Sequence, residues 1–114
     1  MIEVEFYTKK KDGSIHMRMS GHADTAPKGK DLVCAGATTL AYTVAQCIEF
    51  QWQEGELKCK PKLIIKPGEA NIIATPKNDA YATTLHTFFV AQAGISVLSG
   101  NYPDAIRFIP FSLA

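Results

Sequence analysis

The sequence predicts an α+β fold: a two-layer sandwich with two helices on one face of a mixed sheet of about five to six strands. Three observations carry this expectation. Ile2, Val4 and Phe6, then Ile15, Met17 and Met19, alternate with polar residues, the period of a half-buried strand. Val33, Ala37, Leu40, Val44 and Ile48 recur every three or four residues, the period of a helix with one buried side. The segments follow in the order β-hairpin, helix, β-hairpin, helix, strand, so both helices can bury their stripes against one sheet.

The first hairpin turns at Asp12-Gly13, a strong two-residue turn signal. That loop sets Phe6 opposite Met19 and Tyr7 opposite Arg18, with both apolar sets on one face. The same register brings Glu3 beside His22, where it could orient the imidazole. His16 falls on the polar, solvated face. A helix follows over residues 32 to about 51, with Cys47 beside its apolar stripe as core and Trp52 closing the end of the core. Gly36 is a poor helix former and needs a packing reason.

Residues 57–66 are β-like, but Pro61 breaks them and confines any strand there to an edge. Cys59 lies in this stretch with no chemistry assigned to it. Pro67-Gly68 marks a turn, and residues 70–75 form the returning strand. Asn78 or Asp79 caps a second helix reaching to about residue 98. Tyr81, Leu85, Phe88, Gln92 and Ile95 lie along one side of it. His86 reads as a surface residue, and Gly100 is placed to end the helix. Residues 105–109 supply a last strand, with Ile106 and Phe108 on one face.

At 114 residues the chain is the size of one domain, residues 1–114. It is 46% hydrophobic and 20% charged, as a globular protein is. The formal net charge of +1 makes no electrostatic case for direct binding to nucleic acid or to an acidic membrane surface. No apolar run approaches the roughly 20 residues of a membrane span, and the start, MIEVEFYTKK, lacks the order of a signal peptide. The three cysteines show no C-x-x-C spacing, which fits free thiols in a reducing cytoplasm and offers no zinc site. No metal or cofactor is expected.

One stretch carries candidate chemistry: GHADTAPKGKDLVCAGATT, residues 21–39. Asp31 is a good N-cap, its carboxylate able to accept from backbone N–H groups of the next turn. Cys34 then stands at the third helical position, near the positive end of the dipole. A thiolate is the reactive form, and helix N-termini and imidazolium ions both favour it. A unit charge about 4 Å from the sulfur is worth roughly 4 kcal/mol at an effective dielectric near 20. An exposed helix end supplies only about 0.3–1 kcal/mol, and the Asp31 carboxylate opposes the thiolate. His22 must therefore do most of the activation. The loop holding Ala23, Pro27 and Gly29 can reverse the chain to bring it back. Backbone N–H groups at Cys34 and Ala35 could receive an oxyanion. The plain alternative is that Cys34 is a small buried hydrophobe, because one histidine and one cysteine at this spacing define no motif.

GHA, a loop, then G-x-D-x-V-C-A resembles the ribosomal-processing cysteine protease family, Prp, in Gly21-His22-Ala23 and in the run from Gly29 to Ala35. Asn101-Tyr102-Pro103 is similar to family members too. The resemblance implies a catalytic His22–Cys34 dyad, a gate formed by the intervening loop, and a homodimer. It implies a substrate as well: the short N-terminal extension of large-subunit ribosomal protein twenty-seven. Thr38 stands where many members have serine; it keeps the hydroxyl but restricts its rotamers. The competing reading is a non-catalytic ribosome-assembly factor that binds a ribosomal protein tail. A redox-sensing thiol lacks a nearby resolving cysteine.

Overall fold

The computed structural model describes residues 1–22 and 31–112. Within them run β1 (Ile2–Lys9), β2 (Ser14–Ser20), α1 (Leu32–Gln53), β3 (Lys62–Lys66), β4 (Glu69–Ala74), a 3-10 turn (Asn78–Ala80), α2 (Tyr81–Asn101) and β5 (Ile106–Ile109). The strands form one sheet in the order β3-β4-β2-β1-β5. Only the β1–β5 pairing is parallel; the others are antiparallel. This is the expected α+β arrangement, with five strands.

The core lies between the sheet and both helices. Phe6, Ile15, Met17, Ile72 and Ile106 from the strands meet Val33, Ala37, Val44 and Ile48 of α1 and Phe88 and Ile95 of α2, all buried. Fully burying one such side chain is worth about 1.5–3 kcal/mol, and Phe88→Ala, which empties the centre, costs about 3–5 kcal/mol. Gly36 has its packing reason: a Cβ there would lie 3.3 Å from the Leu98 methyls. Buried Gln51 on α1 hydrogen-bonds Thr84 on α2 at 2.9 Å, pairing two polar groups inside the helix interface.

The hairpin register differs from the expected one by two residues. Phe6 pairs with Met17 and Tyr7 with His16. Residues 10–13 all belong to the loop, because the Asp12 side chain accepts from the Ser14 N–H at 2.9 Å and Gly13 turns at φ 74°. A slip of two keeps every side chain on its face, so alternation alone could not detect it. Glu3 consequently sits opposite Ser20, away from His22, and its carboxylate takes the Arg107 guanidinium of β5.

Several smaller expectations are also corrected. His16 is buried at 3% exposure, covered by the Tyr7 ring stacked on it at 4.4 Å. Cys47 is exposed, because the buried side of α1 runs through Val44, Ile48 and Gln51 instead. Trp52 is 36% exposed, and Gln51 closes that end of the core. α2 starts without a side-chain cap and continues through Gly100 to Asn101. By length and composition α1 could cross a membrane, contrary to the sequence reading; here its apolar side packs on the sheet as a core helix. Leu57 forms an isolated bridge to Pro76, and β3 begins after Pro61 as an edge strand, as the proline requires.

Candidate active site

The site forms where β2 ends and α1 begins. Gly21 turns the chain at φ 97°, and a Cβ there would collide with the Met1 carbonyl oxygen. Its N–H donates to the Gly68 carbonyl at 3.0 Å. The Met1 ammonium donates to the His22 carbonyl at 2.6 Å. The backbone on both sides of the histidine is thus tied to neighbouring chain, while the side chain is exposed.

Asp31 caps α1 as expected. Its carboxylate accepts the Cys34 N–H at 2.9 Å. The Cys34 backbone bond, then its thiol, hold the Asp31 carboxyl below its ordinary range, with Val33 and the His22 charge adding smaller contributions against a modest burial effect. Asp31 is therefore a carboxylate at neutral pH.

His22 and Cys34 line one cavity of about 430 Å³, a volume in the range of ligand clefts. Ile2, Met19, Ala37 and Ile65 give it an apolar lining. Thr38 and Tyr42 follow Cys34 along the same side of α1. Pro67 and Gly68 of the β3–β4 turn make the remaining wall. A cavity of similar size, about 470 Å³, lies against Glu3, Glu5, Arg18 and Arg107 and has neither cysteine nor histidine in its lining.

Ala35 does not fit the oxyanion role. Its N–H donates to the Asp31 carbonyl at 3.1 Å as the first bond of the helix, and the Cys34 N–H is held by the Asp31 side chain. Ala23, Pro27 and Gly29 of the expected gate lie outside the described residues. Tyr42 and Gly68 were missed in the sequence. The spacing i, i+4, i+8 from Cys34 through Thr38 could have found Tyr42. Nothing local links Gly68 to His22. Cys47 and Cys59 are exposed and outside this cavity. Among the described residues no three His, Cys, Asp or Glu side chains are grouped to hold a metal ion.

The model of the cysteine protease Prp family matches residues 1–107. The chain belongs to the cysteine protease Prp family. It is accordingly a cysteine-type peptidase, and a purely non-catalytic binding role is set aside. The ribosomal-processing protease Prp of Staphylococcus aureus, with a covalently linked product peptide, is 22% identical over 98% of this chain and 100% of that one, at a TM-score of 0.73. A Prp structure from the same organism with a substrate peptide is 18% identical, at a TM-score of 0.66, with the same coverage. A Streptococcus mutans protein is 22% identical over 98% of this chain and 96% of that one, at a TM-score of 0.67. At these identities the structural likeness is one of fold. No curated protein sequence matches the chain.

Proposed function

We propose that this Prp-family peptidase is an endopeptidase that uses Cys34 as nucleophile and His22 as its proton partner. The observation that carries the reading is the shared cavity, whose largely apolar lining includes both residues. Cys34 passes its proton to His22, and the sulfur attacks the scissile carbonyl carbon. The C–N bond of the tetrahedral adduct breaks as His22 returns the proton to the leaving amine. His22 then takes a proton from water, whose oxygen attacks the thioester and releases the new carboxylate and the free thiol. The Asp31 carboxylate stands beside Cys34, whose N–H it accepts at 2.9 Å. Asp31 also caps the helix that carries the cysteine and places a negative charge where an imidazolium forms. Thr38 borders the cleft with a hydroxyl.

The substrate we infer is the short N-terminal extension of large-subunit ribosomal protein twenty-seven, removed during ribosome maturation in the cytoplasm by a homodimer of this chain. The family supports this reading, as does the ribosomal-processing role of the Staphylococcus aureus protein. The apolar lining suits an apolar or aromatic segment before the cleaved bond. Mass spectrometry of the extended ribosomal protein after incubation with the enzyme tests it. A shortened product with wild type, and none with Cys34→Ala, is expected. An intact substrate would reject this substrate assignment. Sedimentation of the purified chain reads the dimer directly.

A further inference from the structure

We propose that Gly68 is a positioning residue for the His22 imidazole: the β3–β4 turn is the wall that keeps the ring in the cavity it shares with Cys34. The proposal rests on the reading of His22 and Cys34 as the reacting pair.

Three turn glycines have nearly the same backbone angle: Gly13 at φ 74°, Gly55 at 75° and Gly68 at 76°. An L side chain is strained at each. They differ in what a side chain would meet. An added Cβ finds nothing within 4 Å at Gly13 or Gly55. At Gly68 it would lie 2.8 Å from Nε2 and 3.1 Å from Cε1 of His22. The ring therefore meets the bare turn through its Nε2 tip, and Nδ1 is the nitrogen farther from the turn.

If a Cβ is added, something must move, and the ring is the softer partner. The Gly68 carbonyl holds the Gly21 N–H at 3.0 Å, Lys66 pairs with Glu69 across the turn, and Pro67 has a fixed φ. The His22 carbonyl is anchored by the Met1 ammonium, and the far end of an exposed side chain yields more readily than hydrogen-bonded backbone. A side chain at Gly68 thus displaces the imidazole while the backbone stays in place. Gly68 touches no reacting atom; it acts through His22.

The test uses the full chain with four variants: Gly68→Ala, Gly68→Asn, Gly55→Ala and His22→Ala. The readouts are kcat and KM for peptide cleavage, Tm, and the pH profile of Cys34 alkylation by iodoacetamide, followed by peptide mass spectrometry so that Cys47 and Cys59 are counted separately. Gly55→Ala reports strain alone: Tm falls while kcat and the alkylation profile stay as in wild type. Gly68→Ala shows a similar Tm loss, but kcat drops about tenfold or more at little-changed KM, part of the roughly 10²–10⁴-fold that proton transfer supplies. Its alkylation profile moves toward that of His22→Ala. Asn tolerates positive φ, so Gly68→Asn recovers stability and keeps the catalytic defect. The proposal is overturned if both Gly68 variants match Gly55→Ala in kcat and profile while His22→Ala differs from wild type. A His22→Ala profile identical to wild type instead overturns the dyad reading itself.

Discussion

Two places in this molecule hold an aspartate, a group bearing an exchangeable proton, and a histidine. On the first hairpin, Asp12 accepts from both the N–H and the hydroxyl of Ser14, the latter at 2.5 Å, and Ser14 Oγ lies 2.8 Å from His16 Nε2. At the start of α1, Asp31 accepts the N–H of Cys34, the Cys34 side chain helps hold that carboxyl below its ordinary range, and His22 lines the same cavity as the thiol. The local motif is the same: a carboxylate closing a turn over a residue two or three positions later. The difference lies in access and proton direction. Ser14 and His16 are 2% and 3% exposed, so no peptide carbonyl can approach them. The Ser14 proton goes to Asp12, which makes Nε2 of His16 the donor to Ser14 and leaves Nδ1 as a buried acceptor with no partner among the described residues. That imidazole cannot be a base toward that hydroxyl. His22 is exposed and opens on a cleft. What sets the second grouping apart is a cavity and an exposed imidazole beside the group that bears the proton.

The largest expected effect would break this comparison outright. Cys34→Ala and His22→Ala should each lower kcat/KM for peptide cleavage on the order of a thousandfold or more, as removal of a nucleophile or its base does. Ser14→Ala and His16→Gln should leave kcat/KM within about twofold, since both lie outside the cleft. A loss in the Ser14 or His16 variant comparable with that of Cys34→Ala, at unchanged Tm, would show that the buried grouping takes part in the reaction.

A smaller effect sharpens the comparison at Asp31. Aspartate and asparagine cap helices about equally well, whereas alanine costs roughly 1 kcal/mol. Asp31→Ala should therefore lower Tm by a few degrees and Asp31→Asn should hold it. Asparagine removes the negative charge beside the sulfur, so Cys34 alkylation should begin at lower pH in Asp31→Asn than in wild type. An unchanged profile would mean that Asp31 acts as a cap alone.

The contrast also shows what could be read from the chain. Alternation and helical period disclosed the five strands and both helices, because burial sorts residues by face whatever their partners. The Gly21–Thr39 stretch disclosed His22, Asp31 and Cys34, since an N-cap and a thiol near a helix start are local chemistry. Pairing was hidden. The hairpin slips by two residues without changing any face, and that slip sent Glu3 to Arg107 instead of His22 and brought Tyr7 over His16. His16 was misread for the same reason: its face is polar, but its cross-strand neighbours Tyr7 and Ile73 shield it. The wall at Gly68 depends on two hairpins meeting at their ends, a contact with no trace in local sequence.

The smallest expected effect tests the buried side of the comparison through pH. Burial is the main cause holding His16 below its ordinary pKa, with the Lys9 charge adding to it and Asp12 opposing. The protonated form would place an N–H at Nδ1, where no partner waits among the described residues. The unfolded chain therefore takes up this proton more readily than the folded one, and stability rises with pH wherever that holds. His16 costs nothing above about pH 6.5, the ordinary histidine value. Its penalty grows as pH falls from there through the depressed folded value. Asp12 and Asp31 are both lowered from 3.8, so their losses arise at more acidic pH and do not overlap this window. Measured between pH 7 and 5, Tm should decline more steeply in wild type than in His16→Gln, whose amide does not titrate. The slope is the readout, because loss of the Tyr7 stack shifts the level at every pH. Equal slopes would show that the buried ring accepts its second proton without cost, and that burial does not separate the two histidines.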